Sequence, residues 1–277
     1  MLNLIQDQDL ENLLGGLVEF KTAPKPAAPK PEQQPKDGIL AFATTVLGLD
    51  LDPKQTALLS ANSRRVILNC SRQWGKSTMA ATKAVYQSLH NPGALTMVVS
   101  PSERQSGELV EVMRKYCRLA SQKVKGDGRN RESVVLPNTS RIVGLPANEA
   151  TTRGFSNAAL LIVDEASRME DKLYYSFRPM LARSSGDVWL LSTPNGCEGF
   201  FHKTWTSGDE GWFRLKATAE ECPRISKEQL AIDRAEFSDS FFAQEYLCEF
   251  TDSDTAIFRV HKLNALFNPM FVDLEIR

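Results

Sequence analysis

The chain has 277 residues, of which 42% are hydrophobic and 24% charged, and its formal net charge is −1. These values are typical of a soluble globular protein with one large or two small domains. No apolar run approaches the ~20 residues of a membrane-spanning helix, and we expect no signal peptide. Because the five cysteines lack C-x-x-C pairing, we expect neither a zinc site nor a disulfide framework, but a protein of the reducing cytoplasm.

The N-terminal region divides into two parts. Leucines at helical spacing between Leu10 and Leu17 predict a helix within residues 1–20, which is either a frayed terminus or a docking peptide for another subunit. Residues 21–36, KTAPKPAAPKPEQQPK, have the composition of an extended, semi-rigid linker. We therefore predict a tethered helix and linker over residues 1–37.

From Gly38 onward, short β-branched runs alternate with helical patterns such as 76–89 and 103–121, which is typical of an α/β fold. The runs 159–163 and 188–192 are apolar throughout, as expected for parallel strands covered on both faces. We predict a three-layer α/β sandwich with a mostly parallel central sheet and added antiparallel strands. The predicted strands are 65–69, 95–100, 134–136, 141–145, 159–163, 188–192 and 212–217, and the third and fourth form a hairpin.

The segment RVILNCSRQWGKST, residues 65–78, predicts a phosphate-binding loop (Walker A) between a strand and a helix. Cys70 stands where the G-x-x-x-x-G-K-[ST] pattern has its first glycine, so the loop by itself is also compatible with a chance match. In such loops, backbone N–H groups converge on phosphates at a helix N-terminus. We predict that Lys76 binds the β and γ phosphates, Ser77 ligates Mg²⁺ and Thr78 lies near the α-phosphate. The remaining predicted nucleotide-binding residues are Ser71, Gln73, Trp74 and Gly75.

Two acids end a later apolar strand, LLIVDE at 160–165, in the manner of a Walker B strand. We predict that Asp164 holds the Mg²⁺ shell and that Glu165 orients and deprotonates the attacking water. The alternative is that solvated carboxylates merely follow a strand. It leaves three coincidences unexplained: the loop follows a strand, the acids follow a strand, and the loop comes before the acids. Paired acids also favour hydrolysis over transfer to a small molecule.

A third strand, within 190–195, ends in the small polar residues of LLSTPN. In a parallel sheet this strand end lies at the ligand crevice with the other two. Ser192, Thr193 and Asn195 are therefore predicted to sense the γ-phosphate and to couple its loss to the rest of the molecule. A polar turn opened by Pro194 is the alternative.

With these three elements, the chain resembles the ATPase domain of the large terminase subunit of tailed bacteriophages, the DNA-packaging motor. The segments that carry the resemblance are SRQWGKST (71–78), LLIVDEAS (160–167) and LLSTPNG (190–196), with LDPKQTALL (51–59), TTRGFS (151–156) and AQEYLCEF (243–250). It covers about residues 40–258 and implies a P-loop NTPase of the RecA-like, ASCE type over residues 38–258, with a tail at 259–277. Loops with Arg and Gln instead of the first glycine are common in this family.

The resemblance also implies function and partners. ATP and Mg²⁺ would drive double-stranded viral DNA into a procapsid, from a homo-oligomeric ring on the portal that works with the small terminase subunit. The protein would act in the host bacterial cytoplasm, transiently on the procapsid, without a membrane. Since large terminases carry a C-terminal nuclease domain and 27 residues (251–277) follow Phe250, we expect an isolated motor domain, truncated or split, that does not cleave DNA.

Particular residues acquire roles from the same resemblance. Gln55 would recognise adenine, with an exposed polar residue before a helix as the alternative. Arg72 would act on the γ-phosphate in cis, since a guanidinium binds phosphate bidentately. Arg104 is the candidate for an arginine supplied in trans to a neighbouring subunit, with Arg153 and Arg178 as rivals.

Residues 114–131 are rich in Lys and Arg and predict either a DNA-binding loop or a solvated helix end. Lys123, Lys125 and Arg129 would bind the phosphate backbone without sequence preference. Two other functions remain open on the sequence: a helicase or remodelling ATPase, which uses similar Gln, GK[ST] and DE motifs, and a non-catalytic phosphate-binding module.

Overall fold

The computed structural model describes residues 36–61, 63–148 and 155–251. The predicted N-terminal helix and linker, most of the TTRGFS segment with Arg153, and the C-terminal tail lie outside these ranges. The predicted boundaries at residues 37 and 258 therefore stay predictions. In the part of the chain that is described, no helix is long and apolar enough to cross a membrane.

A seven-stranded sheet forms the centre of the molecule, in the order β3-β4-β2-β5-β6-β1-β7. All neighbouring strands are parallel except the β3–β4 pair, which is the predicted hairpin. The predicted mostly parallel sheet is confirmed, with a single antiparallel strand among the described residues. The strands are β1 (Arg65–Cys70), β2 (Leu95–Ser100), β3 (Ser133–Val135), β4 (Arg141–Pro146), β5 (Ala158–Asp164), β6 (Asp187–Ser192) and β7 (Phe213–Ala217).

Helices connect the strands. They are α1 (Lys36–Ala41, continued by a π-helical turn at Phe42–Val46), α2 (Pro53–Ser60), α3 (Lys76–His90), α4 (Glu103–Leu119), α5 (Asp171–Phe177), α6 (Gly199–Thr206), α7 (Lys227–Glu236) and α8 (Asp239–Glu245), with 3-10 turns at Ala166–Arg168 and Arg178–Leu181. Helix α4 ends before the predicted Ser121, because Ser121 adopts a left-handed φ of 58° that a helix does not accommodate.

Apolar cores on both faces of the sheet make the three predicted layers. Val66 and Leu68 of β1 pack on one side with α3 and α4, whereas Ile67 between them belongs to the other core, with α5 and α6. This alternation follows from the two-residue period of a strand, and it explains why the central strands are apolar at every position. Each fully buried aliphatic side chain contributes about 1.5–3 kcal/mol to the stability of these layers.

The strand order brings three polar strand ends together. Strand β6 lies between β1 and β5, with Asn69 of β1 opposite Ser192 and Asp164 of β5 opposite Leu191. Because the three strands are parallel, the loop after β1, the polar end of β6 and the acids of β5 share the carboxyl edge of the sheet. The fold thus places the three predicted site segments side by side.

Candidate nucleotide-binding site

The loop between β1 and α3 depends on glycine at its end. Gly75 precedes the first residue of α3 with a φ of 105°, and a Cβ there would lie 3.0 Å from the Gln55 side-chain nitrogen. Cys70, at the position of the missing first glycine, is fully buried as the last residue of β1, while Gln73 takes a left-handed φ of 63° within the loop. The substitution of cysteine for the first glycine of the pattern therefore lies at a buried strand position. Trp74 is also fully buried and anchors the loop.

The Lys76 ammonium is buried and turns back onto this loop. Its Nζ donates to the carbonyl oxygens of Cys70 at 3.1 Å and Ser71 at 3.2 Å. The Ser71 hydroxyl is also buried and has no hydrogen-bond partner among the described residues. A buried ammonium on the loop and a buried hydroxyl with no partner among the described residues fit a phosphate cradle.

Asp164, the last residue of β5, is the buried acid of the site. Burial, with a further contribution from the charge of neighbouring Glu165, raises the pKa of its carboxyl to about 6, although the charge of Lys76 and a backbone hydrogen bond at Glu165 oppose the rise. A buried carboxylate that is costly to ionise gains from a nearby cation. Asp164 and Lys76 interact electrostatically, so the structure brings together the two predicted phosphate and metal residues.

These residues fit the triphosphate and Mg²⁺ that the sequence predicts. Ser77 presents an exposed hydroxyl in the first turn of α3, and Asp164 supplies a carboxylate, which are the hard oxygen donors that Mg²⁺ prefers. The first backbone N–H groups of α3, including that of the half-buried Thr78, lack intrahelical acceptors and form an anion site at the helix N-terminus. Lys76 supplies the positive charge that a phosphate needs, and Gly75 allows the backbone to approach it closely.

Glu165 occupies an unusual backbone conformation directly after β5. Its φ of 50° and ψ of 43° are left-handed, which costs a non-glycine residue about 1 kcal/mol or more. Its carboxylate accepts from Arg168 Nη1 at 2.9 Å. The backbone therefore places the predicted catalytic acid at a sharp turn, and a guanidinium on the same turn holds its side chain.

A chain of alternating charges extends from Glu165 across the site. Arg168 Nη2 donates to Glu245 Oε1 of α8 at 3.1 Å, and Arg72 Nε donates to Glu245 Oε2 at 2.8 Å. The Glu245 side chain is only 5% exposed, and each of its two carboxylate oxygens accepts from one arginine. The predicted cis arginine, Arg72, is bound to α8 in this structure.

The predicted coupling edge is bonded to the same turn. The Ser192 hydroxyl lies 2.7 Å from that of Ser167 and accepts the Ser167 backbone N–H at 3.2 Å. Thr193 Oγ1 accepts from Arg168 Nη1 at 3.2 Å. Asn195 is exposed beyond these contacts. Two of the three predicted residues, Ser192 and Thr193, therefore contact the turn that follows the acids.

Gln55 is buried at the third position of α2, so the alternative of an exposed residue before a helix is wrong. Its Oε1 accepts the Asp52 N–H at 3.2 Å in a capping box, and its Nε2 donates to the Trp74 carbonyl at 2.9 Å. Arg224 Nη2 donates to the same carbonyl at 2.7 Å and to Asp52 Oδ2 at 3.2 Å. Because an amide has two N–H groups and two lone pairs on oxygen, one of each remains for a base edge.

The candidate arginines for a trans role lie in different places. Arg104 is highly exposed in the first turn of α4, at the carboxyl edge of the sheet, where it pairs with Glu108 of its own helix at 2.9 Å. Arg178 lies near the amino ends of β1 and β6 and donates to the Tyr174 hydroxyl at 3.0 Å. Arg153 lies outside the described residues. Arg104 is thus the described candidate on the nucleotide edge.

The predicted DNA-binding residues Lys123, Lys125 and Arg129 are all exposed. Lys125 pairs through its backbone with Val135, which lies opposite Arg141 at the start of β4. This strand start is at the amino edge of the sheet, opposite the nucleotide loop. Asp127 lies within this loop, and although burial raises the pKa of its carboxyl, hydrogen bonds from Asn130, Arg129 and Ser133 lower it to about 2. The choice between a DNA-binding loop and a solvated helix end stays open.

Sequence reasoning missed Arg168, Glu245 and Arg224. Arg168 directly follows the DEAS motif, and Glu245 lies in AQEYLCEF, a segment singled out for its place in the chain and not for a charge. The partners of Glu245 are 77 and 173 residues away, and those of Arg224 150 and 172. No local pattern links residues that far apart.

Residues 67–265 match a family profile described as the N-terminal part of the T4likevirus-type large terminase subunit. The ATPase domain of the large terminase of Thermus phage P74-26 superposes with a TM-score of 0.67 at 22% identity, over 75% of this chain and 96% of that one. The large terminase of bacteriophage HK97 gives 0.64 at 16%, over 78% and 55%. A large terminase of a thermophilic bacteriophage in complex with ATP-gamma-S gives 0.58 at 13%, over 76% and 52%.

The chain spans about half of the length of the last two terminases. A comparison with curated proteins gave no match. The likenesses confirm the predicted fold class, a RecA-like P-loop NTPase with a mostly parallel sheet.

Proposed function

The chain belongs to the family of T4likevirus-type large terminase subunits, and we propose that it is the ATP-hydrolysing motor domain that drives double-stranded viral DNA into a procapsid. The observation that carries the proposal is the order of β1, β6 and β5, which sets Lys76 beside Asp164 and places Glu165 one residue further. A chance match of loop and acids would not bring them to one edge of one sheet.

The residues of the site divide the work of hydrolysis. Lys76 exchanges the carbonyls of Cys70 and Ser71 for the β and γ phosphates, while the loop from Ser71 to Thr78 supplies backbone donors. Ser77 and Asp164 would hold Mg²⁺, which neutralises phosphate charge when it is bound. Glu165 orients the attacking water and accepts its proton. Gln55 donates to the Trp74 carbonyl of the loop, and it offers its remaining N–H and oxygen lone pair to adenine.

Two arginines complete the charge balance of the reaction. Arg72 leaves Glu245 and binds the γ-phosphate in cis, for which its exposed side chain is free to move. Arg104, at the carboxyl edge, would enter the site of a neighbouring subunit in trans, with Arg153 and Arg178 as rivals. A trans arginine requires a neighbouring subunit. We propose a homo-oligomeric ring on the portal that works with the small terminase subunit, in the host cytoplasm and transiently on the procapsid.

Phosphate loss is passed on through the β6 edge. Ser192 and Thr193 are bonded to the turn that carries Ser167 and Arg168, and Arg168 contacts α8. Asn195 lies exposed at the same strand end. DNA would contact Lys123, Lys125 and Arg129 at the amino edge, so the coupling crosses the sheet from one edge to the other.

Steady-state phosphate release tests the proposal. The wild type should hydrolyse ATP in a Mg²⁺-dependent reaction that double-stranded DNA stimulates, and Glu165→Ala should reduce turnover by at least ~10²-fold with nucleotide still bound. Glu170→Ala is the matched control, since it removes a nearby exposed carboxylate. An inactive wild type would support a non-catalytic module, and strand displacement from a forked duplex would support the helicase alternative; either result contradicts the packaging motor.

A further inference from the structure

We propose that Arg168 is a positioning residue that restrains Glu165 in the resting enzyme and shares its guanidinium with the carboxylate of α8. This inference rests on the proposed ATPase function. It concerns a residue that the motifs of the site do not include, three positions beyond the predicted catalytic acid.

The Arg168 guanidinium joins three separate elements. Nη1 donates to Glu165 Oε2 at 2.9 Å and to Thr193 Oγ1 at 3.2 Å, and Nη2 donates to Glu245 Oε1 at 3.1 Å. The planar fork of arginine suits such a shared role, whereas a lysine ammonium acts as a single point charge. One side chain therefore connects the end of β5, the end of β6 and α8.

The contact to Glu165 engages one of the two oxygens of the predicted general base. A general base has to lie within hydrogen-bond reach of the water whose proton it accepts. Glu165 Oε2 is instead engaged by a cation of its own turn, and the left-handed backbone of Glu165 limits how else the side chain can be placed. Release of this contact would leave Glu165 Oε2 free to accept from the attacking water.

Glu245 offers Arg168 an alternative partner. Its buried carboxylate is shared between Arg168 and Arg72, and a buried carboxylate that loses one of two cations depends more strongly on the other. When Arg72 moves to a phosphate, the guanidinium of Arg168 is drawn toward Glu245 and its hold on Glu165 weakens. Arrival of the triphosphate would thus release the catalytic acid.

Helix α8 is fixed well enough to act as the anchor of this restraint. The segment after it returns to the sheet, where the Cys248 carbonyl accepts from Asn69 Nδ2 at 2.9 Å and the Tyr246 carbonyl accepts the Ala219 N–H at 2.7 Å. Asn69 lies in β1, directly before the loop. The position of Glu245 is therefore set by the strand that carries the nucleotide loop.

Kinetics of three variants of the whole chain test the proposal. Arg168→Ala should raise the DNA-free kcat at least ~3-fold, while the KM for ATP and the Kd of a fluorescent ADP analogue change less than ~2-fold. Arg168→Gln, which keeps donors but no charge, should raise kcat as well and covers the case in which the alanine variant melts early. Arg168→Lys should restore part of the restraint and lie between the alanine variant and the wild type.

Arg64→Ala is the matched control, because it removes an exposed arginine that pairs with Asp187 near the amino end of β1, far from the loop. A folded Arg168→Ala or Arg168→Gln variant whose kcat equals or falls below that of the wild type overturns the proposal, as does a lysine variant at least as fast as alanine. A wild type that releases no phosphate above the Glu165→Ala background instead overturns the proposed function. The two failures are therefore distinguishable.

Discussion

Arg72 Nε and Glu245 Oε2 lie 2.8 Å apart, although 173 residues separate them in the chain. The arginine side chain is 71% exposed and the glutamate 5%. The Arg72 guanidinium is therefore already in contact with solvent. The pair holds the cis arginine beside the loop. When Arg72 departs, Glu245 keeps Arg168 as its cationic partner.

Arg72→Ala should lower kcat by about 10³-fold, the size of the effect of an arginine that stabilises charge in phosphoryl transfer. The Kd for ADP should change little, since ADP lacks the γ-phosphate that Arg72 would contact. Arg72→Lys should recover little of the rate, because an ammonium does not bind phosphate bidentately. Arg183→Ala, another exposed arginine, serves as the control, and a loss below tenfold in Arg72→Ala would rule out the cis role.

Gln55→Ala should act on both stability and nucleotide affinity. It breaks the capping box of α2 and leaves one donor fewer on the Trp74 carbonyl, so we expect a loss of about 1–2 kcal/mol in the free energy of unfolding. The KM for ATP should rise while discrimination against GTP falls. Thr56→Ala, on the same helix, provides the comparison; equal preference for ATP over GTP in wild type and Gln55→Ala would remove the adenine-recognition role.

Asp164→Asn should stabilise the metal-free protein at neutral pH. Burial, with Glu165 adding to it, raises the pKa of Asp164 to about 6 in the folded state. The folded protein then binds more protons than the unfolded chain between about pH 4 and pH 6, so stability falls as the pH rises through this window. The cost at pH 7 is about 3 kcal/mol for a shift of some two units, at 1.36 kcal/mol per unit.

Thermal melting at pH 4 and pH 7.5 in the presence of a chelator measures this effect. Asp164→Asn should melt several °C above the wild type at pH 7.5 and close to it at pH 4. Added Mg²⁺ with ADP should raise the melting temperature of the wild type and not that of the variant. A variant less stable than the wild type at pH 7.5 would show that the carboxylate already has compensating partners.

Replacing Lys123, Lys125 and Arg129 together by alanine should reduce DNA stimulation. The ratio of ATPase rates with and without double-stranded DNA should fall toward one, because each lost phosphate contact removes a counterion-release term. Stimulation in the wild type should weaken steeply between 50 and 200 mM salt, the range over which such contacts lose affinity. A triple alanine replacement of Lys203, Lys216 and Lys227 controls for net charge; an unchanged ratio in the first variant would exclude this surface.

The fold and the centre of the site followed from local sequence because their signals are local. The strands β1, β5 and β6 are short apolar runs that lead into GKST, DE and ST. Parallel pairing alone brings the ends of such strands together. The absence of glycine at position 70 does not affect the prediction, because Cys70 is a buried strand end. The positive φ that requires glycine occurs at Gly75.

The ion pairs around the site could not be predicted in the same way. Arg168, Glu245 and Arg224 bind partners brought near by tertiary packing of α8 and of the segment after β7. The resemblance implies adenine recognition by Gln55, which stays a prediction; its hydrogen bond to the Trp74 carbonyl depends on where α2 meets the loop. Charges that meet across the fold leave no periodic pattern in either segment.

A structure of the chain with ATP-gamma-S and Mg²⁺ tests the central claim most directly. The account predicts that Lys76 Nζ has left the carbonyls of Cys70 and Ser71 for the β and γ phosphates, with the metal between Ser77 Oγ and Asp164. Glu165 should face the γ-phosphate within reach of one water. A nucleotide bound elsewhere, or bound at this loop with Lys76 still on its two carbonyls and Asp164 distant from the metal, would contradict it.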